Sequence, residues 1–268
     1  MSATPRPAAA RGYRRTLPCL AVTYDRSVAE DGESTRNGAA SSPGIGADRA
    51  ADRPRLRGVI TDWGGVMTSP ILETVTAWFE AEQIDQDSYR EVMRPWIARA
   101  YGTDDDDSPI HALERGEISN EEFERLLAER LVSVDGLPVL AEGLLTRMFA
   151  ASILDSAMLD LMRSLRRAGL RTALLSNSWG RNDYPRQLFP ELFDAVVISA
   201  EVGMRKPEER IFRHAAELLG LQPSECVFID DIEANVLAAQ AIGLVGVHHR
   251  ESGPTAERLA ELLGVPLL

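Results

Sequence analysis

Five residues at widely separated positions carry the chemistry of this chain. Asp62 follows the apolar run Gly58-Val59-Ile60-Thr61 and precedes Gly64-Gly65. Ser176, in Ser176-Asn177-Ser178, closes a second apolar run. Lys206 stands in Glu201-Val202-Gly203-Met204-Arg205-Lys206-Pro207, and Asp230-Asp231 closes a third run. Clustered carboxylates repel one another unless a cation lies among them, and hard oxygen donors suit Mg²⁺. A carboxylate can also attack phosphorus and form an aspartyl-phosphate. A metal and a lysine would neutralise phosphoryl oxygens, while a serine hydroxyl and backbone N–H groups hydrogen-bond them. Lys206 is the only lysine among 29 basic residues. A chain that uses Arg elsewhere keeps a compact point charge here, and lysine binds phosphate as a point charge.

For these residues to meet, they must stand at the carboxyl ends of neighbouring parallel strands, where open α/β sheets bind their ligands. The sequence supplies such strands. Short apolar runs at 58–62, 171–175, 195–199, 226–229 and 244–248 read as buried strands. Between them lie helical patterns. Met158, Leu161, Met162 and Leu165 share one helical face, with Gly169 at the C-terminal cap position. A further helix is opened by Pro207 and closed by Gly220, another runs to Gly243, and a last one lies near 255–263. Strands separated by helices of this length imply βαβ units and a parallel sheet. Residues 70–150 break the alternation and read as all helix, with Ser119-Asn120-Glu121-Glu122 fitting a capping box. The expected fold is a doubly wound parallel α/β core over 57–69 and 152–268, with an all-helical cap inserted at 70–151 and a tail at 1–56.

Composition narrows the function classes. The chain has 268 residues, 44% hydrophobic, and a net charge of −12. The charge is uneven: residues 1–57 carry 10 Arg and 6 acids, and the remainder is strongly acidic. An acidic body disfavours nucleic-acid binding, which rests on clustered Lys and Arg. No apolar stretch approaches the ~18 residues of a membrane span. Cys19 and Cys226 are too far apart in sequence for a CxxC site and cannot build a disulfide framework, so the expected compartment is reducing and cytoplasmic. Arg14-Arg15 before the apolar Leu17–Val22 suggests an export signal, but the run is too short and meets Asp25 and Arg26. The first 55 residues read as a disordered tail without sustained period.

The order and spacing of the motifs resemble the haloacid dehalogenase superfamily of Mg²⁺-dependent phosphotransferases. The first motif is VITDWGGV with Asp62 in the nucleophile place, the second LLSNS with Ser176 as phosphate binder. The third is EVGMRKPE with Lys206, and the fourth FIDDIEAN with Asp230 and Asp231 as metal-site acids. The helical insert stands where one subgroup carries its cap, and SNSW and RKPE are similar to the branch that includes the phosphatase domain of epoxide hydrolases. The resemblance covers residues 58 to about 250. It implies Asp62 and Lys206 as catalytic residues, and Ser176, Asn177 and Lys206 as phosphate-binding ones. It also implies Mg²⁺ held by Asp62, the Gly64 carbonyl, Asp230 and Asp231.

One departure is that the family usually places a second Asp two residues after the nucleophile as general acid and base, and here that place holds Gly64. General acid–base help contributes ~10²–10⁴ in rate. The sequence therefore supports a Mg²⁺-dependent phosphatase acting on a small phosphorylated metabolite, for which a good leaving group, a cap residue or water makes up for the missing acid. The alternative is a catalytically weak or inactive phosphoryl-ligand binding protein. A haloacid dehalogenase is disfavoured, since that branch carries Ser and Asn in place of the fourth-motif acids. Several other features read as structure: Asp104–Asp107 as a solvated loop, Trp63 as packing, and His111, His214, His248 and His249 without zinc spacing. Asn235 either hydrogen-bonds a fourth-motif acid or faces the helix surface.

Overall fold

The computed structural model describes residues 55–101, 108–180 and 184–267. The expectations for the tail, for Cys19 and for Asp104–Asp107 lie outside the described residues.

Five strands form one parallel sheet in the order β3-β2-β1-β4-β5. They are β1 Gly58–Thr61, β2 Arg171–Ser176, β3 Ala195–Ile198, β4 Cys226–Asp230 and β5 Val245–His248. The strands read as near-continuous apolar runs because both faces of a parallel sheet are covered by helices. Alternation sends successive residues to opposite faces. Val59, Leu174, Val227 and Ile229 join one core cluster, and Ile60, Ala173, Leu175 and Phe228 join the other.

The helices that cover the sheet are preceded, along the chain, by those of the insert. The insert contains α1 Ile71–Glu82, α2 Gln86–Tyr101, α3 Pro109–Glu114, α4 Asn120–Ala128 and α5 Leu144–Met148. The core contains α6 Ser156–Arg167, α7 Phe189–Leu192, α8 Ser199–Val202, α9 Glu209–Leu218, α10 Glu233–Ala241 and α11 Ser252–Leu263. In α6, Met158, Leu161, Met162 and Leu165 are all buried on the first cluster, and Gly169 follows at φ +82. That helix begins where the Asp155 carboxylate accepts the Met158 N–H at 2.9 Å, an N-cap bond of the ordinary kind. Among the described residues no helix is long and apolar enough to cross a membrane.

The insert has a core of its own. Trp78, Tyr89, Met93, Trp96, Phe123, Leu127, Leu144 and Met148 belong to an apolar cluster separate from both sheet faces. Ser119 caps α4 by accepting the Glu122 N–H at 3.2 Å. The buried Glu124 carboxylate accepts the N–H groups of Gly143 and Leu145, both at 2.9 Å, and so closes the start of α5. The expected absence of strands in this stretch agrees with what is found among its described residues, apart from isolated bridges such as Ile84 with Ser133. The two connections to the sheet run side by side. Thr68 bridges Leu154, Ser69 N donates to the Ile153 carbonyl at 2.7 Å, and Asp155 N donates to the Met67 carbonyl at 3.0 Å.

Candidate active site

The first carboxylate is placed by the centre of the sheet. β1 pairs with β4 so that Thr61 stands opposite Ile229, and Asp62 N donates to the Ile229 carbonyl at 2.9 Å. Asp62 and Asp230 therefore leave adjacent strands at the same level. Asp231 follows in the next turn. One carboxylate oxygen from each of Asp62, Asp230 and Asp231 lies within 4.8 Å of the others. The register of two buried strands thus brings together acids from both ends of the domain.

Lys206 reaches into this cluster from the loop after α8. Its Nζ lies 2.8 Å from Asp62 Oδ1 and 2.7 Å from Asp230 Oδ2. The side chain is 1% exposed, and Nζ also sits 5.7 Å from the centre of the Phe228 ring. Its backbone is pinned by Asn177: Lys206 N donates to Asn177 Oδ1 at 2.8 Å, and Asn177 Nδ2 donates to the Lys206 carbonyl at 3.0 Å. The Asn177 amide is thereby spent on the lysine loop. Ser176, at the end of β2, shares a hydrogen bond of 2.9 Å with the Tyr184 hydroxyl. Its neighbour Ser178 donates its N–H to Ser199 Oγ at 2.7 Å, fixing this loop to α8.

Asp230 is fully buried and saturated. Besides Lys206 it accepts the Ile232 N–H at 2.8 Å, and Asn235 Nδ2 lies 3.1 Å from both its oxygens. Of the two readings of Asn235, the structure realises the contact with a fourth-motif acid. Asp231 is less enclosed. Gly65, at φ +74, leaves room for it: a Cβ there would lie 2.4 Å from Asp231 Oδ2. The Asp231 carbonyl contacts His248 Nε2 at 2.9 Å. Gly64 faces the insert, since a Cβ built on it would meet Ile71 Cδ1 at 3.1 Å. Trp63 is structural, as expected. It is buried and set edge-on against Tyr184 and Phe189, each at 5.8 Å between ring centres.

The electrostatics show a site short of positive charge. Burial, with the nearby Asp230 charge, pushes Asp62 up to about 7 although Lys206 pulls it down. Burial, with the charges of Asp62 and Asp230, pushes Asp231 up to about 8. Burial works against the Lys206 ammonium, but Asp230 and Asp62 outweigh it and hold its pKa above the ordinary value. One ammonium thus faces three carboxylates. A compact oxygen donor set with surplus negative charge fits Mg²⁺, and Asp231 and Asp62 have the oxygens least committed to protein donors.

A parallel α/β sheet with convergent carboxylates at its central strand ends, one buried lysine and a helical insert defines a Rossmann-like α/β protein whose site can hold a cation and an anionic ligand. The haloacid dehalogenase-like hydrolase family model matches residues 56–243, and the chain belongs to that family. It is 34% identical over 113 residues to sesquiterpene phosphatase astK of Aspergillus oryzae, covering 41% of this chain and 58% of that protein. It is 25% identical over 227 residues to bifunctional epoxide hydrolase 2 of Sus scrofa, covering 80% of this chain and 40% of that one. The chain spans 19% to 58% of the length of the first curated relatives it matches. In fold it is similar to a haloacid dehalogenase family enzyme of Bacteroides thetaiotaomicron solved with magnesium and inorganic phosphate. That likeness has a TM-score of 0.53 at 24% identity, over 74% of this chain and 96% of that chain.

Sequence reasoning did not single out Tyr184, Glu114, Trp179 or Arg205. Tyr184 touches Ser176, and the partly buried Trp179 joins the buried Glu114 and Arg205 beside the lysine loop. Trp179 and Arg205 lie within the SNSW and RKPE segments without a role of their own being legible, and Glu114 and Tyr184 have no spacing that sets them apart.

Proposed function

We propose that this chain is a Mg²⁺-dependent phosphatase of a small organic phosphate monoester, working in the cytoplasm through an aspartyl-phosphate on Asp62. The observation that carries the reading is the Lys206 ammonium held between Asp62 and Asp230 within a cluster of three carboxylates. The names of relatives, a sesquiterpene phosphatase among them, favour phosphoryl chemistry.

Asp62, Asp231 and the Gly64 carbonyl would hold Mg²⁺, with Asp230, its oxygens taken by Lys206, Ile232 and Asn235, adding negative charge beside it; the ion would supply charge neutralisation of phosphoryl oxygens when bound. An Asp62 oxygen attacks phosphorus in line, the P–O bond to the alcohol breaks, and the leaving oxygen takes a proton from water. A second water then attacks the acyl phosphate, releasing inorganic phosphate and restoring the carboxylate. Lys206 offsets the charge of Asp62 and of the phosphoryl group. The Ser176 hydroxyl and the Asn177 N–H bind phosphoryl oxygens, the Ser178 N–H being held by Ser199. The insert over residues 70–151 acts as a cap that shields the intermediate from bulk water and selects substrate.

No side chain stands at Gly64 to donate a proton, and this favours one second reading, a phosphoryl-ligand binder with little turnover. Steady-state phosphate release from p-nitrophenyl phosphate with Mg²⁺ separates the two. Release past one equivalent, abolished by Asp62→Asn, supports the enzyme. Phosphate binding without release across a broad substrate panel supports the binder. Turnover that survives Asp62→Asn removes the nucleophile assignment.

A further inference from the structure

Beside the carboxylate cluster, a second buried charged group joins α3 to both loops that carry the chemistry. Glu114 closes α3 and is 0% exposed, and Arg205 is 3% exposed. Arg205 Nε donates to Glu114 Oε2 at 2.5 Å. The other oxygen, Oε1, accepts from Trp179 Nε1 at 3.1 Å. Glu114 therefore grips the residue directly before Lys206 and a residue three places after Ser176. The Trp179 ring lies edge-on to Phe123 and Phe149 of the insert, so its position is fixed at its apolar end as well. Around this point the insert sits close on the core: a Cβ on Gly116 would lie 2.9 Å from the Ala200 carbonyl. Arg115 donates to Glu208 Oε1 through Nε at 2.8 Å and Nη2 at 2.6 Å.

A buried ion pair is weak as a stabilising device, because desolvation of both charges offsets their attraction. Its strength is directional: a carboxylate with one donor on each oxygen fixes both donors in space. We propose that Glu114 is a positioning residue, which holds the Ser176–Trp179 loop and the Arg205–Lys206 segment in their working relation while α3 is seated on the core. The role rests on the phosphatase reading for its kinetic expression, though the geometry stands without it. Glu114 acts through Lys206 and the 176–178 loop, so its loss misplaces groups that meet the phosphoryl oxygens.

The test is Glu114→Gln, measured with p-nitrophenyl phosphate and Mg²⁺ well below its unfolding temperature. The expected result is a kcat lower by ~10–100-fold, with KM raised by ~5-fold or less, since small misplacements act mainly on the transition state. A purely structural role lowers the unfolding temperature and leaves the kcat of folded enzyme unchanged. Trp179→Phe keeps an aromatic ring, though a smaller one, and removes the donor, with an expected loss of ~3–10-fold in kcat. Arg115→Ala removes a different contact between α3 and the core and keeps kcat within about twofold. If Glu114→Gln does not fold, Trp179→Phe and Arg205→Lys carry the test. A kcat within about twofold of wild type in Glu114→Gln, or in both substitute variants, overturns the proposal. Should the wild type turn over no phosphate ester, the phosphatase reading fails and calorimetric binding of inorganic phosphate with Mg²⁺ decides the role. Affinity weaker by about threefold or more in Glu114→Gln supports it, and a smaller change, or no binding by the wild type, overturns it.

Discussion

Replacing Lys206 with Arg keeps the charge and changes only its shape, which makes it a sharp test of the site. The ammonium sits 2.8 Å from Asp62 and 2.7 Å from Asp230, and its side chain is 1% exposed. Phe228 lies beneath it at 5.7 Å, and Asn177 holds the Lys206 N–H and carbonyl, so the backbone cannot withdraw to make space. A planar guanidinium is larger than the ammonium and presents a fork where the carboxylates here meet a point. Overpacking of this kind costs about 1–3 kcal/mol. At ~2–4 °C per kcal/mol for a domain of this size, the melting temperature should fall by roughly 2–12 °C. The kinetic cost is larger in proportion. A shift of ~1 Å in a reacting group costs ~10²-fold, or ~2.7 kcal/mol of transition-state stabilisation. The assay is kcat for p-nitrophenyl phosphate at saturating Mg²⁺, beside a calorimetric melting curve. Lys206→Met should be worse in both measurements, because breaking a buried pair by removing one partner costs ~3–5 kcal/mol. A Lys206→Arg enzyme within about fivefold of wild-type kcat refutes the view that a compact cation is required.

Other perturbations read different parts of the site. Gly65→Ala would set a Cβ 2.4 Å from Asp231 Oδ2 at a φ of +74. It should weaken Mg²⁺ binding by about tenfold and destabilise by ~1–3 kcal/mol, and titration calorimetry with Mg²⁺ checks it. Asp62 at about 7 and Asp231 at about 8 both lie above their unfolded values. A carboxylate raised in this way lowers stability once ionised; the cost is absent below about pH 4 and complete above about pH 8. Metal-free protein should therefore lose stability from these groups as pH rises through that window. The rise in melting temperature on adding Mg²⁺ should grow between pH values of about 5.5 and 8, and a gain independent of pH contradicts the metal assignment. With Gly64 in place of an acid, turnover should depend steeply on the leaving group. An aryl phosphate should outpace an alkyl phosphate by ~10²-fold or more in kcat, and equal rates would show that another group donates the proton.

The strands were legible because a buried parallel strand leaves a short apolar run with little else to read. All five runs lie within a residue or so of the strands found. The site was legible because its residues follow those runs directly: Asp62, Ser176 and Asp230 close strands, and register alone brings Asp62 and Asp230 together. Helix ends were read less well. The helix expected from Pro207 to Gly220 forms as Glu209–Leu218, and the one expected near 255–263 starts at Ser252. Contacts between the insert and the core were not legible at all. Glu114 ends a short helix within a sequence of ordinary charged residues, and nothing local says that its carboxylate faces Arg205, far along the chain, instead of water. The same holds for Tyr184, since nothing in its local sequence says that its hydroxyl meets Ser176.

The central place of β1 also bears on how the chain must fold as it is made. On one side its backbone level is set against β4, far along the chain, where Arg57 N donates to the Glu225 carbonyl at 2.8 Å and Gly58 pairs with Cys226, a separation of 168 residues. At ~5–20 residues per second, a ribosome needs roughly 10–30 s to deliver that partner. Through this interval Val59 and Ile60 can pair with β2 on one side only, and the β4 side stays open; pairings this remote in sequence are intrinsically slow to close. The strand that leads into Asp62 is thus the first of the sheet to be made, yet it is flanked on both sides only once β4 has followed.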